Sequence, residues 1–158
     1  MITHELPATS RRVEEHTARH VNEAIRAQAD AEVTRMEDAS PEEYATRLGQ
    51  LDREWDIERV PQTNASALVM IGTALALRVD RRFLLLPAAV LSFFLQHALQ
   101  GWCPPIPVFR RLGVRTAHEI ERERYALKAL RGDFDAVPAL HQADARQRVR
   151  AALDAIDA

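Results

Sequence analysis

The sequence predicts an all-α membrane protein, a two-helix transmembrane hairpin flanked by cytoplasmic amphipathic helices. Three observations lead there. Helix formers dominate and only 5 glycines occur in 158 residues, which favours helix throughout. The 21 basic and 23 acidic residues are partitioned sharply, with none between Val60 and Leu77 and none between Phe83 and Phe109. Between those stretches Arg78, Asp80, Arg81 and Arg82 crowd into one short turn. The mean hydropathy of -0.26 is that of a soluble chain and conceals this partition. A soluble amphipathic helix would carry charge on its outer face every turn or so.

Before the hairpin, residues 11–38 contain neither glycine nor proline, and Val13, His20, Val21, Ala24 and Ile25 recur at helical spacing. One long polar helix is expected. Ser40-Pro41-Glu42-Glu43 reads as a helix start, with serine as cap, proline at the first position and Glu43 closing a capping box. That helix should turn Tyr44, Leu48, Leu51 and Trp55 inward and end near Asp56.

The first apolar segment runs from about Gln62 to Val79, the second from Phe83 to about Gln100. Each would extend roughly 27 Å as a helix, close to the thickness of a bilayer core. The second is rich in leucine and phenylalanine, which offset Ser92, Gln96 and His97 on an insertion scale. The first is weaker and would insert as part of the pair. Trp55 and Trp102 bracket the hairpin where interfacial aromatics belong. Arg47, Arg53, Arg59, Arg110, Arg111, Arg115, Arg122 and Arg124 flank its outer ends, against three arginines in the turn. This bias places both termini on the cytoplasmic side of an inner membrane. The competing expectation is a soluble helical bundle with the apolar hairpin as its core.

After the second segment, Pro104, Pro105 and Pro107 block helix continuation. Phe109-Arg-Arg-Leu-Gly-Val-Arg115 then suggests an interfacial stretch, with Phe109, Leu112 and Val114 towards lipid and Arg110 and Arg111 towards headgroups. Thr116-Ala-His-Glu119 is a second capping box, opening a helix to about Arg131 that Gly132-Asp133 ends. A last amphipathic helix from about Val137 to Ile156 should bury Leu140, Val149, Leu153 and Ile156. The chain thus divides into residues 1–56, 57–116 and 117–158. The N-terminus has no basic region followed by an apolar core, so no cleavable signal is expected.

The segment Gln100–Thr116 carries Gly101-Trp102-Cys103-Pro104 and Leu112-Gly113-Val114-Arg115. With Asp56-Ile57-Glu58-Arg59 before the first span, these resemble the YgaP-like inner-membrane domain, a transmembrane hairpin found alone or behind a membrane-anchored rhodanese. The resemblance covers residues 57–116. It implies an inner-membrane hairpin, paired as a homodimer, in a family largely without assigned function. No rhodanese domain accompanies it here, so sulfurtransferase activity is not carried over.

Ala88 or Ala89, Ser92, Gln96, Gln100 and Cys103 form a small-to-polar stripe on the second span, and Ala65, Gly72 and Ala76 a small-residue stripe on the first. The helices are expected to meet through Gly72 and Ala76 against the Ala88–Ser92 side, with Ser92 and Gln96 hydrogen-bonding across the hairpin or dimer. Cys103 is the only thiol. Arg110 and Arg111 would activate it if they folded back, while its place at a helix C-terminus disfavours a thiolate. His97, at membrane depth, is expected to hydrogen-bond a carbonyl. His16 and His20 are four apart with Glu23 on the same side, too few ligands for a metal site. No catalytic constellation or cofactor motif is recognised, and a net charge of -2 suggests no nucleic-acid partner. The leading expectation is a membrane anchor or assembly module whose tails dock a cytoplasmic protein. A sulfur-relay or redox role for Cys103 is the second, and a solute path along Ser92 and Gln96 the third.

Overall fold

A computed structural model describes residues 7–139 and 141–157. Among these the chain is all-α, with no strand. The helices are α1 (Arg12–Glu15), α2 (Arg19–Arg35), α3 (Pro41–Leu51), α4 (Arg59–Arg78), α5 (Leu85–Gln100), α6 (Ile106–Arg111), α7 (Ala117–Arg131) and α8 (Ala145–Asp157), with a 3-10 turn at Arg81–Leu84 before α5. Two compact units interleave in sequence: the described residues of Met1–Ala27 with Glu54–Ile120, and those of Gln28–Arg53 with Glu121–Ala158.

In the first unit, the helix expected over residues 11–38 is broken after Glu15. Side chains take the carbonyls that a continuing helix would need: His16 Nδ1 lies 2.8 Å from the Arg12 oxygen, Thr17 Oγ1 donates to Val13, and Asn22 Nδ2 donates to Glu14. Such local side-chain bonds compete with helix propagation. The break separates His16 from His20, leaves His20 and Ala24 exposed, and places Val13 in a cluster with Ile57, Cys103 and Ile106.

Helix α4 starts where Asp56 Oδ1 accepts the amides of Glu58 and Arg59. It returns through Asp80, whose Oδ1 accepts the Arg82 amide. Gly72 provides the closest approach in the hairpin: a Cβ there would lie 2.7 Å from Pro87 Cδ and 3.2 Å from a Leu86 methyl. The expected contact with the Ala88–Ser92 side is therefore corrected. The α5 residues turned inward are Leu86, Pro87, Val90, Phe94, Gln96 and His97, whereas Ala88 and Ser92 are exposed. Ser92 hydroxyl satisfies itself on the Ala88 carbonyl, so it needs no partner across the hairpin. Pro87 fits because the first helical turn has no carbonyl partner for its missing amide. Helix α4 and the helical run Arg81–Gln100, the 3-10 turn continuing into α5, are each long and apolar enough to cross a membrane by length and composition, and only 11% of the most apolar window in each is buried.

Helix α6 departs from its expected interfacial role. Arg110 and Ile106 are buried, and Phe109 and Val114 pack against the Val13 cluster, leaving Val108, Arg111 and Leu112 outside.

In the second unit, α3 has the expected capping box at Ser40 but stops at Leu51, before Asp56. Tyr44, Leu48 and Leu51 are buried; Trp55, expected on the same face, belongs to the first unit and stays 46% exposed under the Arg59 guanidinium. The buried Glu123 of α7 meets Arg47 of α3 at 2.6 Å, and Lys128 Nζ donates to the Ile156 carbonyl of α8 at 2.6 Å. Helix α8 begins later than expected. It buries Ala155 and leaves Val149, Leu153 and Ile156 exposed, the reverse of the expected face. Small alanines permit the closer approach, and Lys128 orients the helix end. Leu140 lies outside the described residues.

Candidate functional site

A polar cluster sits in the first unit where α1, the start of α4 and the end of α5 converge. Glu58, just before α4, accepts from Arg12 Nη2 at 2.7 Å and lies 3.2 Å from His97 Nε2 in the last turn of α5. Arg12 Nη1 also donates to the Thr9 carbonyl, which holds the guanidinium in place. The His97 side chain is 1% exposed and stacks on Phe94. Cys103, 5% exposed, is buried with Val13, Ile57 and Ile106 in the adjoining apolar cluster. The ring's other nitrogen, Nδ1, is buried with no aligned hydrogen-bond partner.

The hydrogen bond to His97 and the charge of Arg12 hold the Glu58 carboxyl below its ordinary value, against the opposing effect of burial. An ionised carboxylate only accepts, so Nε2 must carry the ring proton.

Two glycine turns build this corner. Gly101 ends α5 in the left-handed region at φ 73°, and a Cβ there would lie 2.5 Å from the Arg12 carbonyl carbon. Only glycine both reverses the chain and lets the α1 backbone come this close. Gly113, at φ 85°, ends α6. The residues after it return to the start of the hairpin, with Arg115 paired to Glu54 at 2.7 Å and its carbonyl accepting the Ile57 amide at 2.8 Å. Both glycine motifs therefore act first as architecture.

Arg110 does not fold back on Cys103. Its guanidinium grips both oxygens of Glu119 at 2.6 and 2.7 Å, the Val114 carbonyl and Asn22 Oδ1. Glu119 also accepts the Thr116 amide, completing the expected capping box. Burial would raise the Glu119 carboxyl, but Arg110 and Thr116 outweigh it and hold the group below its ordinary value. Arg111 points to solvent and Trp102 is half-buried. Of the packing residues, Gly72 is buried, Ala76 and Gln96 are partly buried, and Ala88 and Ser92 lie open.

Sequence reasoning noted His97 and Cys103 separately and missed the arrangement of His97 with Glu58 and Arg12. It assigned His97 a carbonyl partner, where the structure provides a carboxylate. The available signal was a glutamate immediately before one apolar segment and a histidine near the end of the other. Residues at those two places meet whenever the segments pair antiparallel. Comparison with known proteins gave no matching family, no similar curated protein and no similar solved structure.

Proposed function

We propose that this chain is a small integral inner-membrane protein, in which α4 and α5 span the bilayer as a hairpin and the remaining helices form a cytoplasmic module for assembly with a partner. The observation that carries the reading is the exposure of Leu68, Met70, Ile71, Leu77, Leu84, Leu85, Leu91, Phe93, Leu95 and Leu99 on helices long enough to span. A hairpin serving as a soluble core would bury these side chains, and an exposed apolar surface of this extent calls for lipid or protein cover. The resemblance of the Gly-Trp-Cys-Pro and Leu-Gly-Val-Arg segments to the YgaP-like hairpin supports the same assignment.

The open α5 face carrying Ala88 and Ser92 fits the homodimer that this resemblance implies, since small residues four apart allow helices to approach closely. In the second unit, the exposed Val149, Leu153 and Ile156 of α8 form an apolar row for the partner. Fractionation tests the reading. The full chain should stay with membranes through carbonate washing and leave only with detergent. Release by carbonate would overturn it.

A further inference from the structure

Helix α8 packs through its alanines and leaves another face open. Ala155 is buried, and Arg148, Ala151 and Ala152 are partly covered, whereas Val149, Leu153 and Ile156 stand exposed. Arg146, Arg150, Asp154 and Asp157 are exposed as well, and their spacing of three or four residues sets them along one edge of that apolar row. Among the described residues none of these four charges has an ion-pair partner. Ala145, Arg146, Val149, Arg150, Leu153 and Asp154 border one open groove on this side. We propose that the groove takes α8 of a second copy of this chain, antiparallel and about a twofold axis.

The order of charges selects that occupant. The basic pair lies in the N-terminal half of the helix and the acidic pair in the C-terminal half. An antiparallel mate, with the axis at the level of Ala151 and Ala152, brings Arg150 of each copy opposite Asp154 of the other. Arg146 then comes opposite Asp157, Val149 beside Leu153, and Ile156 over Ala145 and the aliphatic stem of Arg146. In an antiparallel helix pair each edge meets the same edge of its mate, so a single charged edge is self-complementary. A parallel mate would set arginine level with arginine. An anionic lipid surface is a poorer match, because Asp154 and Asp157 would face its headgroups. Exposed ion pairs of this kind add little affinity and chiefly fix orientation.

Three large apolar side chains per helix fall short of a standard interface of about 800 Å² per partner. Copies held in one bilayer meet at a higher effective concentration. The pairing therefore rests on the membrane reading, and it identifies the partner of the α8 row as the protein itself.

The test uses the full chain with Cys103→Ser, reconstituted in phosphatidylcholine vesicles with and without phosphatidylglycerol, and single cysteines oxidised by copper phenanthroline. Leu153→Cys, near the axis, should crosslink to its own copy. Ala145→Cys should not, since its two copies lie ~20 Å apart along the helices, yet it should crosslink when mixed with Ile156→Cys. Arg146→Asp with Arg150→Asp should slow the Leu153→Cys crosslink by about tenfold, and adding Asp154→Arg with Asp157→Arg should restore it. If a charge-reversed variant loses its helical circular dichroism, the cysteine pattern decides alone. Equal self-crosslinking at Ala145 and Leu153, or none at Leu153, in protein retained through carbonate would overturn the pairing alone. Crosslinking abolished by phosphatidylglycerol would assign the row to lipid and overturn it too. Protein washed off by carbonate would overturn the membrane reading, and with it the confinement the pairing needs.

Discussion

Gly101 joins two constraints at a single position. Its φ of 73° strains any L side chain, and the Arg12 backbone occupies the space a Cβ would need. Gly101→Ala should therefore destabilise the first unit by about 2 kcal/mol or more, combining left-handed strain with a steric clash. Thermal unfolding followed by circular dichroism would show it, and an unchanged midpoint would contradict the packing described. The ionised pairs give a second expectation. Glu58 is held low by His97 and Arg12, and Glu119 by Arg110 and Thr116 against burial. A carboxyl whose folded value lies below its unfolded one stabilises the fold above the unfolded value and loses that contribution as pH falls. The unfolding midpoint should hold from neutral pH down to the ordinary value of 4.5 and drop below it. A midpoint that rises on acidification would show that these pairs do not form.

Among the elements, the hairpin contact is the most sensitive to substitution. Gly72→Val places two methyl groups against Pro87 and Leu86 and should cost about 1–3 kcal/mol as overpacking. Gly49 is the contrast: it lies inside α3 with nothing within 4 Å of an added Cβ. Gly49→Ala should stabilise by about 0.4–1 kcal/mol through the unfolded chain, and chemical denaturation measures both. What the sequence disclosed follows the same division. Both capping boxes, the stop at Gly132 and the extent of the apolar helices were legible, because each depends on residues close in sequence. The break at His16 was not, since it depends on Asn22 reaching Glu14. The α5 face was misjudged because small residues were taken for the contact, while the proline ring and Leu86 supply it. The inward face of α8 was misjudged similarly: its large residues suggested burial, and its alanines made it. Cys103 was visible as the sole thiol, but its burial, like the meeting of His97 with Glu58 and Arg12, depends on how α1, α4 and α5 converge.

For the molecule as a whole, charge distribution outweighs average composition. A mean hydropathy of -0.26 describes no part of a chain that combines a charge-free helical pair with arginine-rich flanks. Outside the pair, Arg47, Arg110, Arg115, Arg122 and Arg124 are engaged by carboxylates. Topology follows the distribution of basic residues more than net charge, so in the proposed membrane reading this pairing leaves the expected bias towards cytoplasmic termini in place. Under the proposed membrane reading, the turn at Arg78–Arg82 faces the opposite side of the bilayer. Site-directed labelling tests this arrangement most directly. In a Cys103→Ser background, single cysteines at Asp80 and at Asp144 would be exposed to a membrane-impermeant maleimide in intact cells and again after permeabilisation. The account predicts that Asp80→Cys is labelled in intact cells, whereas Asp144→Cys is labelled only after permeabilisation. Equal protection of both positions in intact cells, with equal labelling on lysis, would contradict a membrane-spanning hairpin.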